Sequence, residues 1–325
     1  WVFALGSCGP SGWLLSTCSN GELICWDLAD TVVQTKARSY DQVSPQGAHV
    51  RSESINAHSN PVYAVHGVPG GTVFTGSDEE IRIWREPWNC GGGKAIGELR
   101  IPQLEGSRGS LSPLAETNGL TSLNKGQTLA AAAGDGNAYC WDVATQVLTH
   151  CFSGHKDYLH SIVSLERNGL IATGSEDGTC KFWDVREKKE NQCVATLESG
   201  DIVSALSVSN DGNWLVMGGS SNGMGNFNMC HVASRVITDG RKCKHNTRVQ
   251  SMTFTDKALV LGGDGQNLEY WSMNGSEYIV DVPTSSSSVF GLHYDSSAGI
   301  LVSGGSSAFI DVFSEERSHM VSLQA

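Results

Sequence analysis

The chain of 325 residues is short of several things that would direct it elsewhere. It has no apolar run approaching the roughly 18 residues that a membrane-spanning helix needs. No window sustains the 3.6-residue periodicity of an amphipathic helix. Cations are scarce: 22 Lys and Arg stand against 34 Asp and Glu, a net charge of −12. A surface of that sign repels phosphate backbones, so direct nucleic-acid binding is not expected. The one compact basic cluster, Arg241-Lys242-Cys243-Lys244-His245, has the length of a solvated turn. Ten cysteines are present but no Cys-x-x-Cys, and no His, Cys and carboxylate group has metal-ligand spacing. Cys18, Cys25, Cys140, Cys180 and Cys230 fall in apolar runs, where free cysteine packs as a small hydrophobe in a reducing compartment.

What is abundant is glycine, 38 residues, distributed among short apolar runs. The clearest unit spans 153–186, SGHKDYLHSIVSLERNGLIATGSEDGTCKFWDVR. Three apolar runs (159–165, 170–175, 180–183) are separated by turns at Arg167-Asn168-Gly169 and Glu176-Asp177-Gly178, and a fourth run covers 193–197. Runs of that length between Asn, Asp and Gly turns read as antiparallel strands joined by hairpins. The unit repeats. Its end recurs at Trp26-Asp27, Trp84-Arg85, Trp141-Asp142, Trp183-Asp184, Cys230-His231, Trp271-Ser272 and Phe313-Ser314, at spacings of 58, 57, 42, 47, 41 and 42. Seven ends of this period imply seven four-stranded units.

This pattern resembles the WD-repeat family, and the fold expected is an all-β, seven-bladed propeller filling residues 1–325 as one domain. Two long polar insertions, 29–50 and 86–108, are expected between the third and fourth strands of blades one and two, hence on one face. The second carries Trp88 and Gly91-Gly92-Gly93. The pattern opens at Trp1 inside a strand, which points to a start lying upstream. The C-terminal stretch supplies an outer strand of its own, so the ring is expected to close by packing alone.

In a WD-repeat blade the resemblance implies a hydrogen-bonded His, Ser/Thr, Asp and Trp. Two blades match at all four positions: His58, Thr75, Asp78, Trp84 and His155, Thr173, Asp177, Trp183. The same residue types could build a nucleophilic triad. Repetition between blades and the terminal Trp favour a structural role. Gly219-Ser220-Ser221-Asn222-Gly223 fits a hydrolase elbow by letter only, being a loop with no helix after it. The Asn274-Gly275-Ser276 sequon lies in a hairpin turn where Asn-Gly belongs anyway. No catalytic residue, no metal site and no cofactor follow from the sequence.

Finer segments are similar to the WD-repeat subunit family of the THO complex, in its plant-type members. They are Gly134-Asp135-Gly136-Asn137-Ala138-Tyr139-Cys140-Trp141-Asp142, Gly154-His155-Lys156-Asp157-Tyr158-Leu159-His160, Ala57-His58-Ser59-Asn60-Pro61-Val62-Tyr63, the degenerate fifth blade and Ile310-Asp311-Val312-Phe313. That resemblance implies a non-enzymatic nuclear scaffold for messenger-RNA export whose partners are other THO proteins. A competing likeness rests on Trp183-Asp184-Val185-Arg186, which resembles the signature of substrate receptors of cullin-4-type ubiquitin ligases and implies a ligase adaptor as partner. The candidate partner-binding residues are therefore Trp88, Trp183, Asp184 and Arg186.

Overall fold

The computed structural model describes residues 1–8, 12–28, 50–78, 80–89, 94–103, 111–186, 193–238, 240–246 and 248–325. Most of the first expected insertion (29–49), the triglycine at 91–93 and the charged turn at 187–192 lie outside them. Seven antiparallel sheets follow one another along the chain, each hydrogen-bonded in sequence order from its first strand to its last. They form a seven-bladed propeller. The innermost strands are Val2–Ser7, Ala64–Val68, Thr117–Leu123, Leu159–Leu165, Ile202–Val208, Val249–Phe254 and Val289–Asp295. Among the described residues there is no α-helix, and no helix long and apolar enough to cross a membrane.

The core lies between blades. Buried apolar side chains group into seven clusters, one per blade-to-blade interface. This follows from the pleat: successive side chains leave opposite faces of a sheet, so a blade packed on both faces needs apolar residues at nearly every position of its second and third strands. Trp13–Cys18 and Leu170–Ser175 are indeed buried at all six positions. The seam between blades seven and one has a cluster like the others, with Val2, Leu5 and Leu14 against Val302, Ile310 and Val312. Among the described residues no strand is exchanged there. A hydrogen bond of 2.9 Å between His293 Nε2 and the Ser7 hydroxyl crosses the seam near the centre.

Three details depart from the sequence reading. The fourth strand of blade two, Gly97–Leu99, lies inside the stretch expected to be an insertion, so 86–108 is not one loop between the third and fourth strands. At three residues without a Val, Ile or aromatic at its start, that strand carries almost no periodic signal. In blade five, Gly219, Ser220 and Ser221 belong to the strand Trp214–Ser221, and the turn is only Asn222-Gly223. The outer edge of that blade is split between Val236–Ile237 and Arg241–Lys242.

Candidate functional site

The four-residue set of blade four is complete. His155 is 2.9 Å from Asp177 Oδ2 through Nδ1 and 2.8 Å from the Thr173 hydroxyl through Nε2. Trp183 Nε1 donates to the same hydroxyl at 2.8 Å. Burial alone would raise the Asp177 carboxyl. Hydrogen bonds from the Thr179 hydroxyl, the Lys156 amide and His155 outweigh it and hold Asp177 at about 2. The same burial lowers His155, so the imidazole is neutral and Nδ1–H points at the carboxylate. The Thr173 hydroxyl is engaged by both His155 and Trp183, so the set ties two strands to the incoming loop.

Blade two completes only part of its set. His58 Nε2 meets Thr75 at 2.8 Å and Trp84 Nε1 donates to Thr75 at 2.9 Å. Asp78 is not the partner of His58. It accepts instead from the Tyr63 hydroxyl, which burial and that carboxylate push up to about 12. Glu80 lies 3.9 Å from His58 Nδ1 and is itself held by Arg82. The cause is a hairpin one residue shorter: Thr75 precedes Trp84 by nine residues, Thr173 precedes Trp183 by ten. Counting back from Trp aligned Asp78 with Asp177; counting forward from the threonine aligns it with Glu176.

In blades five to seven the stitching has moved to a polar residue two positions before the third-strand end, which the sequence reading did not single out. Asn228 donates to the Ser199 carbonyl at 2.8 Å. Asp311 accepts from the Ser285 hydroxyl at 2.7 Å and the Ser322 hydroxyl at 2.6 Å. Glu269, fully buried, accepts from the amides of Lys244, His245 and Asn246 at 2.9, 2.8 and 3.0 Å, and from Trp271 Nε1 at 3.2 Å. The basic cluster at 241–245 is thus part of the fold: an edge strand followed by a loop wrapped round a carboxylate, with Lys244 over the Tyr278 ring and His245 paired to Asp281. The signal was legible as Glu269-x-Trp271 and Asp311-x-Phe313, charges inside otherwise apolar strands.

Of the candidate partner-binding residues, Trp183 is buried. Trp88 is buried too, so it is no exposed anchor. Its ring stacks on Trp13 of blade one at 5.5 Å and 10°. Pro87 and Trp88 form one turn of 3₁₀ helix that folds back across the interface of blades one and two. Arg186 alone is open, 65% exposed, with its guanidinium paired to Asp184 at 2.9 and 2.6 Å.

A cavity of about 240 Å³ opens at the mouth of the central channel, lined by one triplet from each blade at its innermost strand. The middle residues are all small: Ala4, Ala64, Gly119, Ser161, Ala205, Ser251 and Gly291. A Cβ on Gly119 would come within 3.1 Å of Ile162, so small residues let neighbouring strands converge. The deeper residues are aliphatic: Leu5, Val65, Leu120, Ile162, Leu206, Met252 and Leu292. Only the outermost position varies. Blades seven, one and two offer Phe290, Phe3 and Tyr63, with ring centroids 6.0 and 5.5 Å apart in that order. Blades three to six offer Asn118, His160, Ser204 and Gln250.

Carboxylates back this ring. Asp78 holds Tyr63, Glu176 holds His160 at 2.7 Å and Asp264 holds Gln250. Each acid is the third residue after the position that Thr75 and Thr173 occupy in their second strands. Blade three has Gly134 there, and the Glu116 carboxylate fills the space, 2.3 Å from where a Cβ would stand. Burial, with Glu116 adding and Asn118 opposing, pushes Tyr158 up to about 12. Arg248 reaches over blade five to His160 at 3.2 Å and Glu176 at 3.8 Å. The mouth is therefore aromatic on one side and hydrogen-bonding on the other, with carboxylates holding several of its residues from behind.

Comparison with known proteins agrees with this architecture. The family described as WD domain, G-beta repeat matches residues 49–85, 146–184 and 191–224. The chain is 30% identical to the THO complex subunit 6 of Arabidopsis thaliana over 94% of its own length and 86% of that relative's. It is 27% identical to the THO complex subunit 6 of Homo sapiens, over 80% of this chain and 76% of the relative. Autophagy-related protein 16 of Arabidopsis thaliana is 26% identical over 54% of this chain and 36% of its own.

Proposed function

The chain belongs to the THO complex subunit 6 family of WD-repeat propellers, and from that premise we propose that it is a non-enzymatic scaffold subunit of a THO-type complex in the nucleus, acting in messenger-RNA processing and export. The observation that carries the reading is the extent of the likeness. It runs through 94% of the chain and so includes the degenerate blades five to seven, whereas the likeness to the autophagy protein covers 54%. Chemistry supports the reading too: His155, Asp177 and Thr173 are consumed by stitching, and the net charge of −12 leaves contact with RNA to partners. Purified protein mixed with the remaining recombinant THO subunits should co-elute with them on size exclusion at 0.15 M salt; separate elution of folded components would refute it.

A second reading is favoured by one observation, the exposure of Arg186 beside Trp183-Asp184. Docking to a cullin-4 ligase adaptor through this arginine would be abolished by Arg186→Ala in an adaptor pull-down, with THO co-elution intact. Unchanged adaptor recovery would remove Arg186 from that role.

A further inference from the structure

We infer that a cavity on the flank of blade four, away from the central channel, binds a phosphorylated serine or threonine carried beside an arginine in a segment of a partner protein. This goes beyond membership of a THO-type complex and does not depend on it. The cavity measures about 340 Å³. Its walls are the turn Asp177-Gly178-Thr179, Lys181 on the third strand, Thr196 and Glu198 on the fourth, and the loops that enter and leave the blade. No residue of an innermost strand lines it. Its two ammonium groups, on Lys156 and Lys181, have no carboxylate within 4 Å among the described residues, whereas Arg82, Arg186, Arg248 and Lys257 are all paired to acids. Lys181 Nζ donates one proton to the Thr196 hydroxyl, at 2.9 Å, and keeps two for a ligand.

The lining selects the ligand. It holds no aromatic, Leu, Ile, Val or Met side chain, so a nucleotide base finds no ring to stack on and an apolar group nothing to pack against. Asp177 has no acceptor capacity left: His155 and the Lys156 amide fill one oxygen, the Thr179 amide and hydroxyl the other. Glu198 is exposed and has no ion pair among the described residues. A carboxylate ligand would bring a single charge to two ammonium groups. A phosphate monoester brings about −1.5 to −2 at pH 7 and three acceptor oxygens, enough for both lysines and the Thr196 hydroxyl. The open acid, Glu198, then calls for a cation next to that phosphate, and a guanidinium supplies it with paired donors. The net charge of −12 steers such a basic segment toward the protein and holds free phosphate away.

Fluorescence anisotropy on the whole folded chain tests this with fluorescein-labelled Gly-Arg-pSer-Arg-Gly, its unphosphorylated form and Gly-Gly-pSer-Gly-Gly. The first should bind most tightly, and removing the phosphate or the arginines should each weaken binding by about tenfold. Lys156→Gln and Lys181→Met should each weaken the phosphorylated probe by about tenfold and leave the unphosphorylated one unchanged. Glu198→Gln should erase the advantage of the arginine-flanked probe over the glycine-flanked one. Lys125→Gln, the same charge change in a turn of blade three on the opposite face, should alter nothing. Equal binding of the phosphorylated and unphosphorylated probes would reduce the effect to bulk charge and overturn the proposal. So would equal losses with Lys125→Gln and Lys156→Gln, or no binding of the phosphorylated probe by protein with an unaltered circular-dichroism spectrum. Displacement of the probe by inorganic phosphate as readily as by the unlabelled phosphopeptide would mark an adventitious ion only, and would overturn it too.

Discussion

A carboxylate with no exposure, such as Glu269, persists only because both oxygens are occupied, here by three backbone amides, the Asn246 side-chain amide and an indole N–H. Glu269→Gln keeps the shape but turns one acceptor into a donor facing N–H groups. Chemical unfolding should show a loss of about 2–4 kcal/mol, with blade six the first to exchange amide hydrogens. Two sets of side chains contribute to the pH dependence with the same sign. Burial lowers His58 and His66 from 6.5 to about 4, so folding disfavours their protonated forms. Their contribution is complete above pH 6.5 and is lost as the pH falls toward 4. Asp177 and Asp311, held at about 2 by hydrogen bonds that outweigh burial, lose theirs only below pH 3.8. Urea midpoints should therefore fall in two steps on acidification, and Asp311→Asn should flatten the lower step alone.

At the scale of elements, the 3₁₀ turn carrying Trp88 fastens blade two to blade one through the stack on Trp13, with Arg51 on that ring as well. Trp88→Ala should cost about 3–5 kcal/mol in thermal or urea unfolding and leave co-elution with THO proteins unchanged in protein that remains folded. A loss of co-elution without a loss of stability would return Trp88 to an interface. The sequence made the strands of blade four legible almost to the residue, because apolar runs and Asn, Asp and Gly turns coincide there. It concealed Gly97–Leu99, which pairs through its backbone and has one buried side chain. It also misplaced Asp78, because one missing turn residue shifts a count made from the wrong end. The channel mouth was hidden for another reason. Its residues lie about 40 to 60 apart in the chain and become neighbours only when the ring closes, although the acid three residues past each second-strand position is visible once the blades are aligned by strand.

At the scale of the molecule, seven interblade clusters of similar make-up distribute the core evenly, and the seam between the two ends is packed like any other interface. A closed ring should then unfold as one unit. Val302→Ala beside the seam should lower stability by about 1–3 kcal/mol without adding a second transition, whereas a separate early transition would mark the seam as a hinge. Such a closed ring, acidic overall, is suited to holding other proteins in place. The most direct test is affinity purification of the tagged full-length protein from nuclear extract, treated with nuclease and read by mass spectrometry. Recovery of the large THO subunits in near-equal amounts is the predicted result, and it would show that RNA is not the link. Recovery of a cullin and its adaptor with no THO subunit would contradict the account and make Arg186 the centre of function.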